Sequence, residues 1–152
     1  MSKPLIIFGI SKPNLYSYAA LLGALESRKQ ILEKYDICVI RKNLIKIENL
    51  SPNLFKGYDL SVRPLIIIPI SLLTSQFRDF NKFMQKTLPD LKIINKNIIT
   101  IVGGWHSTGS PTDILNLGAN FVIKGEAEDL FPDLLLKIYD LNINTQEKLM
   151  KL

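Results

Sequence analysis

The residues best suited to binding chemistry lie in segment 103–111, which follows the fourth predicted strand and reads Gly-Gly-Trp-His-Ser-Thr-Gly-Ser-Pro. Two glycines directly after a strand allow another backbone or a flat ligand to approach where a Cβ atom would collide. Ser107, Thr108 and Ser110 supply short hydrogen-bond donors and acceptors beside them. From the residues alone, the segment fits a ligand-binding loop and a capped strand-to-helix turn equally well.

The chain contains one cysteine and one histidine, which limits its metal chemistry. The single cysteine, Cys38, excludes an internal disulfide, a thiolate zinc site and a cysteine-ligated iron–sulfur cluster on this chain. The single histidine, His106, excludes any site that needs two histidines. Cys38 lies in a predicted strand, and we expect it to pack as a small core residue.

Several common functional motifs are absent from the sequence. The loop after the first predicted strand, residues 9–14, contains neither G-x-G-x-x-G nor G-x-x-x-x-G-K-[ST], which excludes a dinucleotide fingerprint and a P-loop. No acidic pair ends that strand, which argues against a phospho-acceptor site of the receiver type. The chain also contains no G-x-S-x-G nucleophile elbow.

The 152-residue chain is 47% hydrophobic and 22% charged, which is typical of one globular domain. Its net charge of +5 is uneven, because residues 1–97 hold 15 basic and 7 acidic side chains. No cluster of aromatic and basic residues accompanies this excess, so we interpret it as a solvated surface rather than a nucleic-acid interface. No apolar run reaches the ~18 residues of a membrane span, and the N-terminus lacks a signal-peptide pattern. We therefore expect a cytoplasmic protein with no membrane partner.

Five short apolar runs rich in β-branched residues alternate with helical patterns. The runs cover residues 5–8, 37–40, 65–68, 98–102 and 121–123. Their nearly continuous apolar character is typical of strands buried on both faces of a parallel sheet. Apolar residues at helical spacing predict helices over residues 16–33, with Leu32 on the buried face, and over 75–88 and 128–141. Turn-forming residues at both ends predict a short helix over 111–117.

This alternation predicts an α/β fold, namely a flavodoxin-like or Rossmann-like doubly wound sheet of five parallel strands in the order 2-1-3-4-5. We expect one domain over residues 1–141, followed by a polar tail or the start of a missing linker over residues 142–152. Ligands of such sheets bind at the carboxyl ends of the strands. The candidate site residues therefore lie in segments 9–14, 71–76, 103–110 and 124–128.

Motifs in the second half of the chain resemble those of one protein family. They are Gly-Gly-x-His-x-Thr from Gly103, Leu-x-x-Gly-Ala from Leu115 and Gly-Glu-x-Glu from Gly125, preceded by a Ser…Thr…Gln stretch over 71–76. Over residues 65–136 the pattern resembles the cobalamin-binding domain found N-terminal to radical SAM domains in cobalamin-dependent radical SAM proteins.

The resemblance implies that cobalamin lies across the strand ends, with its nucleotide tail in the crevice between them. Gly103 and Gly104 would leave room for the tail, and a side chain on Gly104 would fill that room. His106 would lie beside the tail. Because the loop after the first strand has no histidine, the resemblance implies no protein histidine ligand to cobalt. The implied cofactor-binding residues are Ser11, Ser71, Thr74, Gly103, Gly104, His106, Thr108, Gly125 and Glu126, with no catalytic residue among them.

The resemblance also implies a function and a partner. The chain would be a cobalamin-carrying, and hence metal-binding, module that acts with a radical SAM domain or subunit. Radical SAM chemistry requires a C-x-x-x-C-x-x-C motif to hold a [4Fe–4S] cluster, and this chain has one cysteine. The cluster would therefore belong to the partner, and we expect this chain to be part of an enzyme rather than a complete one.

The sequence leaves two alternatives open. Pro69, Asn120 (Asp in the family pattern) and Ala127 (Gly in the pattern) depart from the family, and such departures fit a degenerate interaction domain that has lost the cofactor. The second alternative is a nucleotide-binding enzyme domain that uses the same sheet edge, although the sequence has no phosphate loop.

Overall fold

Five parallel strands form the sheet in the computed structural model, which describes residues 2–51, 53–104 and 109–141. The strands are β1 (Leu5–Gly9), β2 (Asp36–Ile40), β3 (Ile66–Ser71), β4 (Ile98–Gly103) and β5 (Phe121–Val122). Their order is β2-β1-β3-β4-β5, and all neighbours are parallel. The predicted flavodoxin-like α/β fold is confirmed. The predicted tail over residues 142–152 lies outside the described residues.

Helices follow or precede each strand as the alternation predicts. They are α1 (Leu15–Glu26), α2 (Lys29–Lys34), α3 (Phe77–Lys82), α4 (Leu88–Ile94), α5 (Pro111–Asn116) and α6 (Leu130–Asp140). Single 3₁₀ turns include Lys12–Asn14 after β1 and Thr74–Gln76 after β3. In the part of the chain that the structure describes, no helix is long and apolar enough to cross a membrane.

The single helix predicted over residues 16–33 is two helices, α1 and α2. Arg28 has an extended backbone (φ −112°, ψ 97°), which separates the two helices. Because the break changes the rotation of the chain, Ile31 is buried in the core and Leu32 is 42% exposed. The prediction of Leu32 as a buried residue was wrong, since a helical period counted through a break assigns later residues to the wrong face.

The helix predicted over residues 75–88 extends further and is irregular. A π turn (Phe83–Thr87) joins α3 to α4, so the helical path continues to Ile94. A π turn widens the helical repeat. Phe83 is buried together with Phe80 and Met84. It was not among the predicted core residues, although a residue three positions after Phe80 lies on the same face of a regular helix.

Helices cover both faces of the sheet, and side chains alternate between the faces along each strand. Ile67 of β3 and Ile101 of β4 pack on one face with Phe131 of α6 and with side chains of α1 and α2. We call this the α1/α6 face. Ile68 and Val102 pack on the opposite face with side chains of α3 and α4. The two layers bury the strands on both sides, which explains their continuous apolar sequences.

Pairing between β1 and β3 ends early, and Pro69 supplies a physical reason. The carbonyl oxygen of Leu65 accepts a hydrogen bond from the N–H of Leu5 in β1. The N–H of Ile66 instead donates to the carbonyl oxygen of Asn97, just before β4. The backbone N–H and C=O groups of successive residues in a strand point toward opposite neighbouring strands. Those of Pro69 and Ser71, like those of Leu65, therefore point toward β1. Pro69 has no N–H to donate, and the register of paired residues between the two strands ends at Ile67. The carboxyl ends of β1 and β3 are therefore joined by groups other than the backbone ladder.

We expect Cys38 of β2 to react slowly with thiol reagents in the folded protein. Its side chain is 1% exposed, and burial raises the pKa of the thiol, an effect that the charge of Lys56 partly offsets. We predict that alkylation by iodoacetamide at pH 8 is at least about tenfold slower than in guanidinium chloride, because attack requires the thiolate and an opening of the fold. Mass spectrometry over time measures both rates, and equal rates would contradict the packing of β2.

Candidate functional site

A cavity of about 370 Å³ opens at the carboxyl edge of the sheet, on the α1/α6 face. The ends of β3 and β4 and Ile123 line it, together with α1, α6 and residues 125–128. Most of the lining side chains are apolar. Two serines, Ser17 and Ser71, also line the cavity and carry hydroxyl groups. The volume falls within the range of roughly 300–1,000 Å³ that is usual for ligand pockets. This edge is where ligands of doubly wound sheets bind.

Ser71 and Gly103 lie side by side where β3 and β4 end at the cavity. They are paired in the register of the two strands. Ser71 lies four residues after Ile67 in β3, and Gly103 lies two residues after Ile101 in β4. Because side chains alternate along a strand, both positions are on the α1/α6 face with Ile67 and Ile101, and both line the cavity. Among the described residues, a Cβ atom built on Gly103 would have one neighbour within 4 Å, the carbonyl oxygen of Ile123 at 4.0 Å. A side chain at this position would therefore project into the cavity.

Gly104 lines the same cavity but is a glycine for a different reason. Its φ is +99°, a backbone conformation that side-chain-bearing residues rarely adopt. A Cβ atom there would lie 2.7 Å from the carbonyl oxygen and 2.8 Å from the amide nitrogen of Leu72. The expectation that a side chain on Gly104 would fill the ligand's room needs correction, because it would collide with the protein's own backbone.

Gly125 and Glu126 form part of the opposite wall of the cavity. Gly125 has a φ of +79°, and a Cβ atom on it would meet no atom within 4 Å. Glu126 and Glu128 are exposed and carry the charges among the described residues that line the cavity. Carboxylates are acceptors only, so this wall favours ligand groups that donate hydrogen bonds, such as amides.

The other residues that the resemblance implied lie away from the cavity lining or outside the described residues. Ser11 is in the turn after β1, where its hydroxyl oxygen is buried without a hydrogen-bond partner among the described residues. Thr74 begins the 3₁₀ turn after β3 and is exposed. His106 and Thr108 lie outside the described residues. The structure thus brings together five predicted residues: Ser71, Gly103, Gly104, Gly125 and Glu126.

Several lining residues were not predicted as site residues. Leu21 of α1 and Phe131 of α6 line the cavity, but their helical spacing indicated only a core position. Ser17, one turn before Leu21, lines the cavity as well and lies within the helix predicted from residue 16. A signal was available, because both helices begin at the carboxyl edge, where their first turns flank the strand ends.

Buried polar side chains close the gap between the ends of β1 and β3. The Tyr18 hydroxyl oxygen accepts a hydrogen bond from the Ser71 N–H (3.1 Å), and Asn14 Nδ2 donates to the Ser71 carbonyl (2.7 Å). Burial raises the pKa of Tyr18, an effect that the bond from Ser71 partly offsets. Tyr18 is therefore neutral at physiological pH. Neutral groups take the place of the missing strand pairing.

Within residues 2–51, 53–104 and 109–141, no group of three or more His, Cys, Asp or Glu side chains is arranged to hold a metal ion. The cavity is suited instead to the organic part of a ligand, because its lining is mostly apolar and carries a few polar groups.

A known protein family matches the segment that contains β3, β4 and β5. Residues 61–135 match the B12 binding domain family. This match supports a cobalamin-binding domain, since B12 is cobalamin. The sequence has no significant match among curated proteins. Among solved structures, the N-terminal domain of a hypothetical protein from Thermotoga maritima is similar, with 19% identity and a TM-score of 0.47. The similarity covers 78% of this chain and 81% of that chain.

The segment that matches the B12 binding domain contains most of the cavity lining, and its three departures from the family pattern leave the cavity open. Asn120 Oδ1 accepts a hydrogen bond from the Thr100 N–H (2.9 Å), and an aspartate would offer the same acceptor oxygen. Ala127 lines the cavity and packs against the core of the α1/α6 face. Pro69 also lines the cavity. None of the three side chains fills it.

Proposed function

We propose that this chain is a cobalamin-binding module in which the nucleotide tail of the cofactor enters the cavity between β3, β4, α1 and α6. The observation that carries this proposal is the geometry at Gly103. Its missing side chain leaves open a mostly apolar cavity at the sheet edge, within the segment that matches the B12 binding domain. Cobalamin is much larger than this cavity, so the cavity would take the tail and leave the corrin ring across the strand ends.

The proposal gives the residues around the cavity distinct roles. Apolar side chains such as Ile101 and Phe131 would pack on the base of the tail, and the Ser71 hydroxyl would bond to its ribose or phosphate. Glu126 would accept hydrogen bonds from amide groups of the corrin. Thr74 and Ser11 would contact the corrin from the neighbouring turns. By the resemblance of the motifs, Thr108 and His106 would lie beside the tail.

We further propose that the module occupies residues 1–141 and serves a radical SAM domain or subunit that carries its own [4Fe–4S] cluster. This association rests on the resemblance of the motifs in residues 65–136 and on the single cysteine of the chain. Cobalamin would supply the partner with a cobalt centre that can carry an alkyl group. The proposal places both in the cytoplasm. A neighbouring reading frame with a C-x-x-x-C-x-x-C motif would support it.

The alternatives gain less support from the structure. A degenerate interaction domain is expected to have lost its cofactor site, yet Asn120, Ala127 and Pro69 leave the cavity open. A nucleotide-binding enzyme domain needs several donors for a di- or triphosphate, whereas the cobalamin tail carries a single phosphodiester. Among the described residues that line this cavity, the charged groups are the carboxylates of Glu126 and Glu128. We therefore favour the cobalamin module over both.

Titration with hydroxocobalamin tests the proposed function. We expect the purified chain to bind it with a dissociation constant in the micromolar range or below, measured by calorimetry. Failure to bind at high micromolar cobalamin would overturn the proposal and favour the degenerate interaction domain.

The variant His106→Ala tests where the histidine lies. Because we assign His106 to the tail and not to cobalt, its removal should weaken binding by about twofold to tenfold, the value of one hydrogen bond. The visible spectrum of bound cobalamin should stay unchanged, because the ligands of cobalt determine it. A shift of the cobalt absorption bands in His106→Ala would show that the histidine ligates the metal.

A further inference from the structure

The end of β3 is held in place by side chains of the first helix and the turn before it. Ser71 presents both its N–H and its carbonyl group toward β1, but the backbone ladder between the two strands ends at Ile67. Tyr18 and Asn14 supply the missing acceptor and donor, at 3.1 Å and 2.7 Å. Both side chains are 3% exposed, so water does not compete for these bonds.

The same arrangement extends along the turn after Ser71. Asn14 Nδ2 also donates to Gln76 Oε1 (3.1 Å), and that oxygen accepts the N–H of Leu73 (3.1 Å). The N–H of Leu72 donates to the carbonyl oxygen of Gly103 (2.8 Å). Each of the three backbone N–H groups from residue 71 to residue 73 therefore has a hydrogen-bond partner. A backbone held at every donor fixes where the Cβ atoms of these residues lie and the direction in which their side chains leave the chain.

Ser71 and Leu73, the two residues of this turn that line the cavity, depend on these bonds. We propose that Tyr18 and Asn14 are positioning residues, which fix the Ser71 hydroxyl toward the ligand although their bonds are made to the backbone. The inference rests on the proposed function, since cobalamin is the ligand used to test it. It deepens that function by naming residues outside the segment that matches the B12 binding domain.

A double-mutant cycle tests the role of Tyr18. Tyr18→Phe removes one oxygen and keeps the edge-to-face packing of the ring against Phe8. We expect it to weaken hydroxocobalamin binding by about threefold to tenfold when residue 71 is serine. In a Ser71→Ala background the same change should alter affinity by less than about twofold, because the hydroxyl that Tyr18 positions is gone. Asn14→Leu should behave as Tyr18→Phe does.

Tyr35→Phe provides the matched control. Tyr35 is a second buried tyrosine, and its hydroxyl donates to a backbone carbonyl, that of Leu135 (2.7 Å), outside the cavity lining. Loss of the Tyr35 hydroxyl should lower the free energy of unfolding about as much as Tyr18→Phe does, and it should leave the affinity for cobalamin unchanged. Without ligand, Tyr18→Phe should speed hydrogen exchange of the Ser71 amide, and Tyr35→Phe should not.

The outcomes separate this inference from the proposed function. The unmodified chain could bind cobalamin normally while Tyr18→Phe causes the same loss of affinity with or without Ser71→Ala. That result would overturn the positioning role alone. Unchanged affinity in Tyr18→Phe would overturn it too. Absence of binding by the unmodified chain would overturn the proposed function and, with it, this inference.

Discussion

Gly103→Val is expected to weaken the binding of hydroxocobalamin by about tenfold to 100-fold, because the new side chain occupies the cavity. Within the described part of the chain, a Cβ atom at this position meets one atom within 4 Å, at 4.0 Å, so the branched side chain extends into the cavity. Filling the room that a ligand occupies costs about 1–3 kcal/mol or more, which corresponds to about one to two decades in affinity. Calorimetric titration of the variant beside the unmodified chain measures the effect.

The fold should survive this substitution. Gly103 ends a strand and does not have the left-handed backbone found at Gly104, and valine is favourable in strands. Gly23→Ala in α1 is the control, since a Cβ atom there meets no atom of the described residues within 4 Å beyond its own helix, and Gly23 does not line the cavity. Gly23→Ala should keep the full affinity. Unchanged binding in folded Gly103→Val would place the ligand elsewhere.

Gly104→Ala is expected to lower the free energy of unfolding by about 2–5 kcal/mol. Two causes add together: a φ of +99° that alanine tolerates poorly, and contacts of 2.7 and 2.8 Å with the backbone of Leu72. Backbone atoms cannot move aside as the end of a flexible side chain can. Urea unfolding of the variant and the unmodified chain measures the difference.

Gly125→Ala separates the two causes. Gly125 has a comparable φ of +79°, but a Cβ atom there meets nothing within 4 Å. The backbone conformation alone should cost this variant about 1–2 kcal/mol. Equal losses in the two variants would show that the close approach to Leu72 contributes nothing to the need for glycine at position 104.

The fold could be predicted from the sequence because its main determinants are local. Continuous apolar runs predicted buried parallel strands, and all five were found in the expected order. Irregular features escaped this reasoning. The break at Arg28 and the π turn at Phe83–Thr87 each change the helical phase, and a period of 3.6 residues cannot anticipate such changes.

The candidate site could be predicted only in part. Ser71 and Gly103 follow from the rule that ligands bind at strand ends, and the structure places them side by side. Tyr18 and Asn14 could not be found this way, since their partner at Ser71 is more than 50 residues away in the sequence. The need for glycine at position 104 likewise depends on the close approach of the Leu72 backbone, which follows another strand and is distant in the sequence.

Intermolecular NOEs between the base of the cobalamin tail and the chain test the central claim most directly. With the chain methyl-labelled and saturated with hydroxocobalamin, the aromatic protons of the base should show NOEs to the methyl groups of Ile101 and Ile123, which line the cavity. Val102 and Met84, on the opposite face of the sheet, should show none. NOEs to Val102 or Met84, or saturated binding without any NOE to Ile101 and Ile123, would contradict the placement of the tail in this cavity.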